Sequence, residues 1–381
     1  MTDLRRRGNM AAAVILSIAL VAASCSGEGD DAVVDAPTTP STATTEVDGQ
    51  ASVPSISARV PEETLNPDST ARSSPELQPI PADEMEIVSF PVPEGSRPHD
   101  VAPAIDGGVW YTAQRAEALG YLDPLTGETR HIPLGAGSAP HGVIVDADGL
   151  AWVTDGGLNA IVSVDPVDDD VSVYPLPAGS PNANLNTAAF DDGGILWFTG
   201  QNGVYGRLDP SVGEVEVFDA PRGRGPYGIA ATPDGDIYFA SLAGSYVGAV
   251  SPDGAVDELD PPTAGQGARR VWSDSVGTIW VSEWNSGQLS RYIPDTGEWA
   301  EWGLPGPDPS AYAVYVDEFD QVWVSDFNGN ALHRFDPVTE SFDTFPLPAQ
   351  PSNVRQILGR PGEIWGAESA NDSLVVVRAA G

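Results

Sequence analysis

The feature that most constrains this chain is a frame that returns seven times. Each copy ends on an aromatic anchor twelve residues after its first position. The copies run Pro98–Trp110, Pro140–Trp152, Leu185–Trp197, Pro226–Tyr238, Ala268–Trp280, Ala311–Trp323 and Asn353–Trp365. Successive anchors stand 42, 45, 41, 42, 43 and 42 residues apart. A period of this length, repeated seven times, encodes a propeller rather than a sandwich or a helical array.

The second copy shows what one period contains. His141–Val145 is a β-branched run, and Asp146 to Gly149 is a turn with hairpin chemistry. Leu150–Thr154 and Asn159–Val164 read as the next two strands, and Val171–Pro177 as the outer one. The expectation is an all-β fold: a seven-bladed propeller with four antiparallel strands per blade. Each anchor aromatic, on the second strand, is expected to pack between adjacent blades. The last copy stops after its third strand, at the run Leu374–Val377. The missing strand stands at the other end of the domain, at residues 86–92. It should complete the seventh blade and leave no open gap in the ring.

The residues before the repeats differ in composition. Arg5–Arg7 precede a short apolar run, Ala11 to Ala23, too short for a comfortable membrane span. Small residues then lead to Cys25, the only cysteine of the chain. Residues 1–24 therefore read as a lipoprotein signal peptide, with Cys25 as the lipid acceptor. That would place the protein outside the cytoplasmic membrane, held to it by the lipid anchor alone. Residues 26–85 are rich in Pro, Ser, Thr and acidic side chains and read as a disordered tether. Its r.m.s. reach is roughly 40 Å. The propeller is assigned to residues 86–381. The formal net charge of the chain is −37, which excludes a nucleic-acid backbone as a sensible partner and suits cations or neutral ligands.

The innermost strand of each blade should border the central channel. The second position of the frame lies at the start of that strand. The seven copies place His99, His141, Asn186, Tyr227, Arg269, Tyr312 and Val354 there. A second ring, three residues after each anchor, holds Ala113, Asp155, Gly200, Ser241, Glu283, Asp326 and Glu368. The two rings are expected on one face, with Asp155, and Glu368 beside it, within reach of His99 and His141. Two imidazoles with carboxylates can bind a divalent metal or act as a base; the bland alternative is a polar, water-filled channel. Trp284 and Phe327 could wall a ligand or merely cover loops. Arg269, Arg270 and Arg355 could bind a carboxylate or pair with Glu283 and Glu368. His131 falls on an outer strand and His333 on a third strand, and both read as packing or surface residues. The chain carries no phosphate-binding loop, nucleophile elbow or zinc-protease motif.

The consensus of the repeat resembles the streptogramin B lyase (virginiamycin B lyase) family. Pro140-His141-Gly142-Val143 and Pro226-Tyr227-Gly228-Ile229 are its nearest local matches. The resemblance covers about residues 87–381. It implies elimination of an ester in cyclic depsipeptide antibiotics, with a histidine base and magnesium. Arg97-Pro98-His99 and Pro140-His141-Gly142 match the family's two functional histidine contexts in order and spacing. By resemblance His141 would be the base and His99 a substrate contact. From their ring positions, not the resemblance, Tyr227, Tyr312, Asn186, Arg269 and Trp284 would face the substrate, with Asp155 and Glu368 as candidate metal ligands. The family's own metal carboxylates stand as Ala139 and Gly156 here, with Asp155 one residue early.

Two functions follow as expectations. One is a lyase acting on a small-molecule or peptide-like substrate at the channel mouth. The other is a non-catalytic propeller that binds a ligand or protein at the cell surface. A monomer is expected in either case.

Overall fold

The computed structural model describes residues 78–381. The leader 1–24, Cys25 and the tether as far as residue 77 lie outside the described residues. Among the described residues, 28 strands form seven four-stranded antiparallel sheets. Six of the sheets are continuous in sequence. In the second blade the order is Pro140–Val145, Ala151–Asp155, Ala160–Val164 and Val171–Pro175.

The seventh sheet draws on both ends of the domain, as expected from its missing strand. It is built from Val354–Arg360, Glu363–Glu368, Ser373–Ala379 and then Met85–Pro91. Met85 stands opposite Ala379, and Pro91 opposite Ser373. The closing strand thus starts one residue earlier than the sequence suggested. A 3-10 turn at Ala82–Glu84 leads into it. The Ile80 carbonyl accepts a hydrogen bond from Arg334 Nη1 at 2.6 Å. Residues 80–85, assigned above to the tether, therefore belong to the folded body.

The anchors hold neighbouring blades together. Trp110 packs with Val143 and Val153 of the second blade. Trp152 packs with Leu185 and Leu196 of the third. The pattern continues round the ring until Trp365 meets Val101 and Val109 of the first blade. The cause is period-two alternation: the anchor projects from the face of its sheet that meets the next blade.

The Asp of the first turn adds a polar clasp. Asp146 Oδ2 accepts the Trp152 indole N–H at 2.7 Å, while its other oxygen takes turn N–H groups. Asp191, Asp274 and Asp317 serve Trp197, Trp280 and Trp323 in the same way. The first blade has Ala104 at this position, and its Trp110 Nε1 is buried without a partner.

Candidate active site in the channel

The site is built by a defect repeated in every blade. Each innermost strand carries a register shift near its start, where two residues oppose one on the second strand. In the first blade the shift falls between Pro98 and Val101, and in the second between Pro140 and Gly142. A bulge frees residues from the ladder and re-aims their side chains. The second residue of the frame sits within it and turns toward the channel.

In five of the seven blades a hydroxyl two residues after the anchor holds the bulge in place. Thr112 Oγ1 accepts the Asp100 N–H and donates to the carbonyl of His141. Thr154 does the same for Gly142 and Asn186, and Ser282 for Arg270 and Tyr312. One blade thereby sets the channel residue of the next. The glycine of the Pro-x-Gly motif has a matching role. A Cβ on Gly142 would lie 2.5 Å from the Asn186 carbonyl oxygen, and one on Gly228 2.6 Å from Arg270 Cα. Only a missing side chain lets the neighbouring strand approach this closely.

Blade seven corrects the expected ring. Trp365 pairs with Leu358, whereas Trp110 pairs with Ala102, so the intervening turn is one residue shorter. The frame slips by one, and Arg355 rather than Val354 takes the channel position. Val354 is buried in the core with Trp323. The channel ring is therefore His99, His141, Asn186, Tyr227, Arg269, Tyr312 and Arg355.

The acidic ring is not where the sequence placed it. Asp155 turns back into its own blade. It accepts from Ser138 Oγ and from the backbone N–H groups of Ala139, Gly157 and Leu158. Glu283 accepts from Ser286 and Ser290. Asp326 caps Ser310 and Gly329. Glu368 is buried, and both its carboxylate oxygens lack a hydrogen-bond partner. The physical reason is strand alternation. Asp155, Glu283 and Asp326 lie one residue beyond the hydroxyls Thr154, Ser282 and Ser325 that serve the bulges, so they face the other way.

Burial pushes the Glu283 carboxyl up to about 7, against the pull of Ser290 and Ser286. The unfolded chain ionises near the ordinary value, so stability falls as pH rises from there to about 7 and then levels off. A shift of that size corresponds to roughly 3 kcal/mol. Glu283→Gln is expected to raise the unfolding free energy at pH 8 by up to about that amount and to leave it unchanged at pH 4. Denaturant melts at the two pH values check this.

The carboxylate that joins the histidines is Asp100, the third residue of its frame, which the sequence reading did not single out. His99 and His141 pack against each other at a tilt of 46°, with ring centroids 3.8 Å apart. His99 Nδ1 lies 2.8 Å from Asp100 Oδ1. Asp100 is fully buried and also meets Arg270 Nη2, at 3.1 and 3.3 Å to its two oxygens. This ion pair joins blade one to blade five, across the channel. Opposite charges at the same frame position of two blades were the available signal for it.

His141 is held differently. Its Nδ1 lies 3.1 Å from the Asn186 carbonyl and its Nε2 3.2 Å from the Asn186 amide nitrogen. These partners assign the proton to Nδ1 and occupy the Nε2 lone pair. For His99 the proton goes to Nδ1, facing Asp100, and Nε2 is the basic nitrogen.

The other channel residues form a cationic-aromatic layer. Tyr227 and Tyr312 hydroxyls meet at 2.5 Å. Arg269 Nη2 donates to Tyr227 Oη at 3.0 Å, and its guanidinium lies 3.5 Å from the Tyr312 ring centroid and 4.5 Å from that of Trp284. Arg355 reaches Ser369 Oγ at 2.9 Å and Tyr312 Oη at 3.5 Å. Phe327 stacks on Tyr312 at 4.8 Å. Of the residues expected to face a substrate, Arg269 and Trp284 are half-buried; Asn186, Tyr227 and Tyr312 are buried. His99 and His141 are 4% and 6% exposed.

The electrostatics follow from that packing. Burial holds His99 well below the usual histidine range, and the nearby guanidinium charges, Arg355 first, push it further down. His141 is lowered by burial and then by His99. Burial raises Asp100, while Arg270 pulls it back. Tyr312 shows the opposite balance. Burial would raise it, but Arg269, Arg355 and Arg270 outweigh burial and bring it down to about 8.

His99, Asp100 and His141 offer donor atoms within 4.8 Å of one another, close enough to hold a metal ion. Two imidazoles and one carboxylate suit ions such as zinc or nickel. Magnesium prefers oxygen ligands, and the single carboxylate is already bound to Arg270. The other two histidines lie away from this group. His131 bonds Tyr111 Oη, and His333 contacts Thr344 within blade six.

Fold and site together define a seven-bladed propeller whose channel carries two histidines from consecutive blades. The chain belongs to the virginiamycin B lyase family, whose model matches residues 70–305. Among solved structures, a streptogramin B lyase shares 22% identity and a TM-score of 0.71, over 78% of this chain and 98% of that one. Virginiamycin B lyase from Staphylococcus aureus is 19% identical with a TM-score of 0.72, over 78% of this chain and 100% of that one. A catalytically inactive histidine-to-alanine variant of virginiamycin B lyase from Staphylococcus aureus, with quinupristin, matches at 20% identity and 0.72, over 78% and 100% of the two chains. At these identities the likeness is one of fold. No curated protein matches the chain.

Proposed function

We propose that this protein is a lipid-anchored, extracytoplasmic lyase that opens an ester by elimination at its channel mouth. The carrying observation is the Asp100–His99 pair beside His141: a buried, neutral imidazole whose Nδ1–H is held by a carboxylate. Membership of the lyase family and the streptogramin lyase structures of the same fold support the reaction class. The leader and Cys25 support the address.

An ester whose oxygen lies β to an acidic C–H can be cleaved without water. A base takes the α-proton, that bond's electrons form the C=C bond, the Cβ–O bond breaks, and a carboxylate leaves. His99 is placed to be the base. Asp100 fixes its tautomer and would stabilise the imidazolium that forms. His141, which the family resemblance makes the base, has its lone pair taken by Asn186 and packs the first ring in place. Two imidazoles and one carboxylate already paired with Arg270 do not favour magnesium as a partner in this step.

The test incubates the purified full chain with a type B streptogramin and follows the product by chromatography and mass. A ring-opened product of unchanged mass supports elimination. A product heavier by one water means hydrolysis and overturns the reaction type. No product favours the second reading, a binding propeller. The observation behind that reading is the depth of burial of both imidazoles.

A further inference from the structure

We infer that the channel mouth contains a carboxylate-binding subsite, formed by Arg269, Arg355 and the Tyr312 hydroxyl over the Trp284–Phe327 wall. The observation that carries this is a pair of orphaned donors. Arg269 Nε and Arg270 Nε are both buried without a hydrogen-bond partner. A buried guanidinium N–H with no acceptor carries a desolvation cost that a native fold does not keep without cause. Arg270 is 4% exposed and spends its Nη2 on Asp100. Arg269 spends its Nη2 on Tyr227. Of the two, the Nε of half-exposed Arg269 is the one an acceptor from outside the chain can satisfy, since Arg270 is sealed from the mouth.

The arrangement around Arg269 suits a planar oxyanion. Its guanidinium lies within 4.5 Å of the ring centroids of Tyr227, Tyr312 and Trp284, which hold it flat and dry on their faces. Arg355 approaches the same Tyr312 from blade seven, 6.0 Å from the ring centroid and 5.6 Å from that of Phe327. Arg269, Arg355, Trp284 and Phe327 are the half-exposed members of the cluster, so a ligand meets them first. Glu283, which the sequence offered as a partner for the arginines, is held by Ser286 and Ser290 instead. The ligand class is therefore a carboxylate joined to an apolar or aromatic body: the carboxylate on the arginines, the body on Trp284 and Phe327. A bidentate arginine–carboxylate contact supplies the specificity.

The subsite gives the elimination a receptor for its leaving group. That role rests on the proposed lyase reading, since such an elimination releases a carboxylate. Carboxylate binding itself does not rest on it.

Phenylacetate and phenylacetamide separate the two contributions, since they share the aromatic body and differ in charge. Calorimetric titration of the full chain, in chelator and again with magnesium, is expected to show phenylacetate binding at least tenfold more tightly than phenylacetamide. Magnesium should change neither. Arg269→Gln should remove the tenfold preference, and Arg269→Lys should restore part of it. Arg355→Gln, a milder change at the rim, should reduce the preference if Arg269→Gln does not fold. Equal affinity for the two compounds overturns the proposal, as does a preference unchanged in both Gln variants. So does carboxylate binding that appears only with magnesium. Carboxylate preference without turnover of a streptogramin would keep this inference and remove the lyase reading. Turnover without the preference would do the reverse.

Discussion

His99→Ala is expected to lower kcat/KM for ester elimination by about 10²–10⁴-fold, the range for loss of a positioned general base. His141→Ala should cost much less, on the order of tenfold, because it removes packing beneath the first ring and not its lone pair. Asp100→Asn should fall between them. It keeps the shape and an acceptor for the Nδ1–H but loses the charge that would stabilise an imidazolium, and it leaves Arg270 without its charge partner. Burial and the Arg355 charge hold His99 well below the usual histidine value. The wild-type rate should therefore stay level across neutral pH and fall only on the acid side of the ordinary histidine range. Asn186→Ala discriminates further. If His141 were the base, freeing its Nε2 would raise the rate; with His99 as base the rate is unchanged or lower. A severe His141→Ala beside a mild His99→Ala would return the base to the residue implied by the family.

Trp323→Ala is expected to destabilise the propeller by about 3–5 kcal/mol, the cost of deleting a large aromatic from a core that cannot collapse around the gap. Trp323 is fully buried and packs with Ile357, Ile364 and Val375 of the next blade, so the loss falls on a seam between blades. The indole N–H adds a second part that a milder series isolates. Trp323→Phe gives up the hydrogen bond to Asp317, whereas Trp110→Phe has none to lose. The first should cost more than the second by about 0.5–1.5 kcal/mol. Urea midpoints of the two variants measure it. Equal costs would mean that the turn Asp contributes through its backbone bonds alone.

The large features of the fold were legible because each depends on a local pattern. Asp-Gly turns, alternating β-branched runs and the regular aromatic anchor are properties of short stretches, and a ring of equal blades follows from their spacing. Even the closing strand could be read, since the last copy visibly lacked one. Its true start at Met85, with the turn at Ala82–Glu84 before it, was hidden because the packing of that turn on blade six comes from Arg334, far away in sequence.

The site was legible only in part. Residue identity at the second frame position already brought His99 and His141 to one channel. Whether Val354 or Arg355 joined them depended on a turn shorter by one residue, and a slip of one exchanges channel for core in any strand. The direction of Asp155, Glu283 and Asp326 depended on which face of the sheet meets which neighbour, and the answer turned them into loop caps. Chemistry at the centre was decided by contacts between distant blades: Asp100 with Arg270, Tyr227 with Tyr312, and Asn186 over His141. Sequence by itself determined that two histidines would stand side by side in a seven-bladed ring. Only the tertiary structure decided which carboxylate serves them and which of the two keeps a basic nitrogen, because those depend on distances between blades that no single repeat contains.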